Sequence, residues 1–175
     1  MTAHAFTAAD IRRLFDLLND ELASVGVHGE LYLVGGAVMC LAFGARESTR
    51  DVDAIFKPTA AVRRAAARVA ARAGVPDAWL NDAVKAWLGG RSDFDRYIEL
   101  SNLNVYVARA EYLLALKFAA MRLGEEFRDL DDVRYLLRYL NITSSREALE
   151  VVARYVNEDA IPVKSRLALE ELLGA

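Results

Sequence analysis

Residues 31–56 read LYLVGGAVMCLAFGARESTRDVDAIF and carry the strongest fold signal in the chain. The apolar run Leu31–Val34 predicts a short strand, and the pair Gly35–Gly36 predicts a turn that opens a short helix ending near Gly44. A polar loop follows, and Arg50–Phe56 predicts a second strand. This stretch therefore predicts the order strand, turn, helix, loop and strand.

Two aspartates of the second strand are candidate metal ligands. Side chains two residues apart in a strand point to the same face, so Asp51 and Asp53 would present two carboxylates side by side. Carboxylates held together repel each other, and a divalent cation relieves that repulsion. Hard oxygen ligands of this kind suit Mg²⁺ or Mn²⁺. The alternative is a surface strand whose polar residues face solvent.

The Gly-Gly turn is a candidate phosphate site. A turn without side chains lets the backbone approach a phosphate closely, and helix N-termini bind anions. The alternative is a plain tight turn. In the following loop, Arg46 and Arg50 are candidate phosphate contacts, or else loop charges that pair with Glu47.

This arrangement resembles the nucleotidyltransferase superfamily with the DNA polymerase β-like catalytic core. In that superfamily a Gly-Gly or Gly-Ser pair opens a helix, and an Asp-x-Asp follows on the next strand. The matching residues here are Gly35, Gly36, Asp51 and Asp53, with Arg46, Thr49 and Arg50 in the intervening loop. The stretch is most similar to a minimal bacterial branch that includes AbiEii-like toxin nucleotidyltransferases and related uncharacterised domains.

A second segment, EYLLALKFAAMRLGEEFRDLDDVRYLL at residues 111–137, resembles the same branch. It carries Lys117 on a helix, followed by an Arg-Asp-x-x-Asp helix start that contains Asp129 and Asp132. The resemblance covers roughly residues 30–140. It implies transfer of a nucleoside monophosphate from an NTP to an acceptor hydroxyl, with Mg²⁺ or Mn²⁺ as cofactor. It also implies a tRNA or protein acceptor and an antitoxin protein as partner.

Lys117 falls on the apolar stripe of its helix, where an isolated charge is costly to bury. It either contacts the phosphates of the nucleotide, which the resemblance favours, or pairs with Asp129 or Asp132. The two aspartates are themselves either an N-cap and an N3 acid that open the next helix, or supports of an active site.

A third metal-binding carboxylate is harder to find. Many superfamily members carry one on a later strand, where it completes a two-metal site. Here the later strand offers Asn104 and Tyr106 at the outward positions. Glu99 is the first candidate, with Asp93 and Asp95 in the preceding loop. If none reaches the aspartate pair, the protein uses one metal or is inactive.

The remaining pattern predicts an α+β fold: a small mixed β-sheet with flanking helices, followed by a helical C-terminal bundle. We expect a nucleotidyltransferase core at residues 1–109 and a helical region packed on it at residues 110–175. The other predicted elements are a helix from Thr7 to about Val25, helices at 59–73 and Ala78–Leu88, a hairpin of Tyr97–Leu100 and Leu103–Val107, and helices at about 110–123, 130–140, 145–156 and 163–173.

Composition narrows the class of protein. The 175 residues include one cysteine, so a disulfide framework and a zinc cluster are excluded. The N-terminus lacks an apolar signal core, and no apolar run approaches the roughly 18 residues of a membrane span, so we expect a cytoplasmic protein without a membrane partner. Net charge is −3, yet Arg64, Arg68 and Arg72 would form a basic stripe on one helix. That stripe either holds a polyanion or is a solvated face.

Two other function classes stay open. A small-molecule nucleotidyltransferase that modifies an antibiotic would use the same metal site but needs an acidic pocket, for which Glu125, Glu126 and Asp131 are candidates. A non-catalytic binding domain with the same fold would explain the missing third carboxylate.

Overall fold

The computed structural model describes residues 4–82, 91–121 and 128–174. These residues form two compact units. The first comprises residues 4–82 and 94–108, and the second comprises residues 91–93, 109–121 and 128–174. Along the chain the second unit takes over at Arg109, beside the expected division between residues 109 and 110. The assignment of a nucleotidyltransferase core and an appended helical region to these units stays a prediction.

The first unit opens with a two-residue strand and a long helix. Strand β1 is Phe6–Thr7, and helix α1 is Ala8–Ser24. The Thr7 N–H donates to Asp10 Oδ2 at 2.8 Å, and the Asp10 N–H donates to Thr7 Oγ1 at 3.2 Å. These two bonds form the capping box that satisfies N–H groups at the helix start. The Thr7 hydroxyl, which donates to Asp10 Oδ2 at 2.7 Å, and the Thr7 N–H lower the pKa of Asp10. The predicted helix from Thr7 is confirmed.

A five-stranded mixed sheet forms the centre of this unit. Its strands are β2, Gly29–Val34; β4, Val52–Lys57; β5, Leu80–Asn81; β6, Phe94–Glu99; and β7, Leu103–Ala108. The order across the sheet is β5-β4-β2-β7-β6. Strand β2 is antiparallel to β4 and parallel to β7, β4 is parallel to β5, and β6 and β7 form the expected hairpin. The predicted α+β class with a mixed sheet is confirmed.

One face of the sheet is packed by helices. Val52, Ala54 and Phe56 of β4 are buried, whereas the alternating positions 53 and 55 are half-exposed. Helix α2 is Gly36–Leu41, and helix α3 is Thr59–Ala73. A Cβ built on Gly29 would lie 2.7 Å from Leu22 of α1 and 3.4 Å from Val62 of α3. Helices α1 and α3 therefore pack closely on the sheet face that carries the apolar strand residues.

The predicted helix at Ala78–Leu88 is wrong in its first part. Asp77–Trp79 forms a single 3₁₀ turn, and strand β5 follows at once. The buried Trp79 indole N–H donates to the Ala66 carbonyl at 3.0 Å, which ties this turn to α3. The chain then runs extended beside β4, where pairing between distant strands overrides the local helical pattern. Residues 83–90 of the predicted helix lie outside the described residues.

The second unit is helical, as expected. Its helices are α4, Ala110–Ala119; α5, Asp129–Tyr139; α6, Ser145–Val152; and α7, Val163–Leu173. The Ser165 hydroxyl donates to the Phe118 carbonyl at 2.8 Å in the interior of this unit. Within residues 4–82, 91–121 and 128–174, no helix combines the length and the apolar character needed to cross a membrane.

Candidate functional site

The sheet register brings Asp53 against the Gly-Gly turn. Strands β2 and β4 run antiparallel with Val34 opposite Asp53, so the residue after Val34 lies beside the carboxylate. A Cβ on Gly35 would lie 3.1 Å from Asp53 Oδ2, and the φ of Gly35 is +69°. Only glycine adopts this backbone conformation readily, and only glycine leaves the carboxylate this room. The predicted proximity of the turn and the aspartate is present.

Gly36 is enclosed by two polar side chains of the following loop. A Cβ at this position would lie 2.7 Å from Thr49 Oγ1 and 2.8 Å from Arg46 Nη1. The Thr49 hydroxyl also donates to the Asp51 carbonyl at 3.2 Å. Arg46 and Thr49 therefore both lie at the start of α2, and their contact with a nucleotide stays a prediction.

Helix α2 is shorter than predicted: it ends at Leu41 and not near Gly44. Six residues make a weak dipole with few free N–H groups, so the helix start alone is a poor anion site. The guanidinium of Arg46 supplies a full positive charge at the same place. An anion at this turn would therefore depend mainly on Arg46.

The N-terminal strand fixes the loop that carries these groups. Strand β3 is Ser48–Thr49, and it pairs antiparallel with β1, with Phe6 opposite Thr49. Phe6 is 1% exposed, so it anchors β1 in the core. Sequence reasoning did not identify this contact, because a two-residue strand carries no periodicity.

Asp51 lies in the link before β4 and not within it. The sequence pattern placed both aspartates in one strand from Arg50, but β4 begins at Val52. Asp51 and Asp53 are each half-buried, and Arg50 is exposed. Over the three described ranges, no cluster of three or more His, Cys, Asp and Glu side chains is placed to hold a metal ion. The aspartate pair thus lacks a third carboxylate there.

Glu99 is wrong as the third ligand. Glu99 of β6 pairs with Asn104 of β7. Asn104 pairs in turn with Glu30 of β2, and Glu30 pairs with Lys57 of β4, so Glu99 lies at the level of Lys57. Lys57 is four residues along β4 from Asp53, which corresponds to about 13 Å along the strand direction. Three strand spacings add about 14 Å across the sheet. Glu99 is therefore at the opposite corner of the sheet and cannot share an ion with Asp53.

The two other acidic candidates do not replace it. Asp95 pairs with Val107, which pairs with Leu33, so Asp95 belongs to the sheet face opposite that of Asp53. Asp93 belongs to the second unit, where its carboxylate accepts a hydrogen bond from the Tyr155 hydroxyl at 3.1 Å.

Asn81 instead occupies the position next to Asp53. The parallel pairing of β5 with β4 sets Asn81 directly opposite Asp53. The Asn81 side-chain N–H donates to Asp53 Oδ1 at 3.0 Å in a partly buried setting. The sequence analysis missed this residue, because it assigned the segment to a helix.

Aromatic rings continue the sheet face that carries Asp53. Tyr32 and Tyr106 stack with centroids 4.7 Å apart and planes 8° from parallel, and Lys57 Nζ lies 5.5 Å from the Tyr32 centroid. Burial and a hydrogen bond to Glu30 raise the pKa of Tyr32 to about 12. Neighbours from both adjacent strands cover this ring, so it offers no bare face for stacking a base.

Lys117 is paired inside the second unit. Its Nζ lies 2.5 Å from Asp132 Oδ2 and 3.2 Å from Asp129 Oδ1. The three residues are 8%, 3% and 5% exposed, in the order Lys117, Asp132 and Asp129. Of the two alternatives left open by the sequence, this is the structural pairing. Contact of Lys117 with a nucleotide stays a prediction.

The helix-start roles of the two aspartates are shifted by one residue. Arg128 is the N-cap of α5, with no side-chain cap bond, and Asp129 is the first helical residue. Asp129 and Asp132 both reach Lys117, which matches their spacing of three residues on one side of a helix.

Two arginines of the basic stripe on α3 form ion pairs within the first unit. Arg68 Nε and Arg72 Nη1 each lie 2.6 Å from the Glu21 carboxylate on α1. These hydrogen bonds, first from Arg68 and then from Arg72, lower the pKa of Glu21. The pairing favours a structural role for the stripe over a grip on a polyanion.

Comparisons with protein-family models, with curated proteins and with solved structures found no match to this chain.

Proposed function

We propose that this protein is a metal-dependent nucleotidyltransferase with a polymerase β-like core, which moves a nucleoside monophosphate from an NTP to an acceptor hydroxyl. The observation that carries the proposal is the meeting of Asp53 with the Gly35 turn. Arg46 and Thr49 gather at the adjacent Gly36. A carboxylate and a cation beside one glycine turn suit a metal-bound triphosphate.

The donor set fits a hard divalent cation. Asp51 and Asp53 offer carboxylate oxygens that suit Mg²⁺ or Mn²⁺, and both side chains are only half-buried. Asp53 Oδ1 accepts a hydrogen bond from the Asn81 side-chain amide, while Oδ2 lies toward Gly35. Asp51 and Asp53 would hold such an ion, which would offset negative charge on the phosphates and lower the pKa of the acceptor hydroxyl.

The other residues bind and orient the substrate. Gly35 and Gly36 carry no side chains of their own, so that phosphate oxygens can approach the backbone of the turn. Arg46 offsets negative charge on the phosphates, and the Thr49 hydroxyl lies beside it. Arg50 is exposed in the same loop and is a further phosphate contact. Asp129 and Asp132 pair with Lys117 within the second unit, and a supporting role of these aspartates in the transfer stays a prediction.

The acceptor follows from the resemblance to the toxin branch. We propose a tRNA or a protein side chain as acceptor, an antitoxin protein as partner and the cytoplasm as the place of action. An antibiotic acceptor has weaker support, because Asp131 pairs with Arg134 at 3.0 Å. The other two acids considered for this role, Glu125 and Glu126, lie outside the described residues. The non-catalytic alternative draws on one observation, the lack of a third carboxylate within the described ranges.

Transfer of label from α-³²P NTPs tests the proposal. The protein would be incubated with Mg²⁺ and each NTP, and with bulk tRNA, with protein or with aminoglycosides as acceptor. We expect label on tRNA or protein, and loss of transfer by about 10³-fold in Asp53→Ala, because a bound metal supplies several kcal/mol of transition-state stabilisation.

Asp16→Ala is the matched control, since it removes an exposed aspartate of α1 far along the chain from the turn. It should transfer label at the wild-type rate. Label on an aminoglycoside would move the protein to the resistance class. Equal labelling by wild type and Asp53→Ala would contradict an enzymatic role.

A further inference from the structure

We propose that Asn81 is a positioning residue that aims the Asp53 carboxylate at the Gly35 turn. The inference rests on the proposed function, because it takes Asp53 as the ligand of a divalent cation. It adds a residue that no sequence motif singled out.

The backbone fixes Asn81 beside Asp53. Strand β5 pairs in parallel with β4, and cross-strand partners share a face, so both side chains stand on the same side of the sheet. The 3₁₀ turn before β5 is anchored by the buried Trp79 through its bond to the Ala66 carbonyl. Asn81 is therefore presented from a fixed strand.

The side-chain contact selects one carboxylate orientation. The terminal torsion of an aspartate is broad, so its two oxygens are not oriented by the strand alone. The Asn81 side-chain N–H donates to Oδ1 at 3.0 Å, and Oδ2 lies on the side of Gly35. The carboxylate is thus held between an amide on one strand and a glycine turn on the other.

An amide suits this task better than the alternatives. It donates a hydrogen bond and carries no charge, so its contact orients the carboxylate without neutralising it. A lysine or arginine would neutralise that charge, and a second carboxylate would repel it. Partners that orient a metal ligand in this way typically change metal affinity by about 10–100-fold when they are removed.

Manganese binding by the full-length protein tests the inference. The probe is Mn²⁺ alone, and free Mn²⁺ is measured from its EPR signal during titration. We expect Asp53→Ala to abolish binding and Asn81→Ala to raise the Kd by about 10-fold or more. Asn104→Ala is the matched control, because Asn104 stands on the same sheet face two strands beyond β4, at the level of Lys57. It should bind Mn²⁺ like the wild type.

The outcomes separate the inference from the proposed function. Wild-type Kd in Asn81→Ala together with lost binding in Asp53→Ala would overturn the positioning role and leave the proposed function standing. Binding that survives in Asp53→Ala, or wild type that binds no Mn²⁺, would instead overturn the proposed function. A thermal unfolding curve accompanies each variant. If Asn81→Ala does not fold, Asn81→Leu keeps the volume without the donor and should show the same weakened binding.

Discussion

The two units hold aspartates in opposite ways. In the first unit, Asp53 is half-buried and accepts a bond from the neutral amide of Asn81 beside a glycine turn. In the second unit, Asp129 and Asp132 are buried and meet the ammonium of Lys117. A buried cation neutralises the carboxylates that it contacts, whereas a neutral amide donor orients a carboxylate without neutralising it.

The largest effect should come from removing the internal cation. Lys117→Met would leave two buried carboxylates without their ammonium, and we expect unfolding free energy to fall by about 3–5 kcal/mol. Denaturant titration measures the loss. Lys164→Met is the control, because Lys164 is exposed on α7, and it should unfold like the wild type.

A double variant sharpens this result. Adding Asp132→Leu to Lys117→Met should recover part of the lost stability, because it removes one of the two buried carboxylates that lost their ammonium. The prediction that Lys117 contacts phosphate would gain support from the opposite pattern, in which Lys117→Met keeps its stability and loses nucleotide transfer.

Gly35→Ala should have an effect of intermediate size, and its comparison with Gly74→Ala separates backbone strain from a disturbance of the site. Gly35→Ala forces an L residue into a conformation that costs about 1–3 kcal/mol and sets a methyl group 3.1 Å from Asp53 Oδ2. We expect lower stability together with weaker Mn²⁺ binding. Gly74→Ala also has positive φ but has open space around the new Cβ. It should lose stability alone, and unchanged Mn²⁺ binding in both variants would argue against contact at the turn.

The smallest effect concerns the Glu21 carboxylate, which pairs with two largely exposed arginines. Bonds from Arg68 and Arg72 lower the pKa of Glu21 below its usual 4.5. A lowered pKa in the folded state stabilises the fold above the unfolded value, and this contribution is lost as pH falls through the folded value. Glu21→Gln should therefore be less stable than wild type at neutral pH, with the gap closing in acid. Thermal unfolding across pH checks this, and a gap independent of pH would contradict the pairing.

Elements with local signals could be predicted from the sequence. The helix expected at residues 59–73 is observed at Thr59–Ala73, because Pro58 begins it and Gly74 adopts the left-handed conformation that ends it. The start of α1 at Thr7 could be predicted for the same reason, because the residues that cap it lie within one turn of the chain. The strand, turn, helix and strand of residues 31–56 were found from apolar runs and glycine.

Features that depend on strand register could not be predicted. Asn81 reaches Asp53 only because β5 pairs with β4, and a two-residue strand after Pro76 leaves no periodic signal. Glu99 looked suitable from its place on a later strand, yet the pairing of three strands carries it to the far corner. The choice between the two roles of Lys117 likewise depended on which side chains meet in space.

The position of a bound Mn²⁺ ion tests the central claim most directly. Crystals of the full-length protein soaked in MnCl₂ would be measured near the manganese absorption edge. We expect an anomalous peak at about 2.1 Å from an Asp53 oxygen on the side of the Gly35 turn. A peak elsewhere in the molecule with none at Asp53, from crystals in which this turn is open to the soaking solution, would contradict the claim.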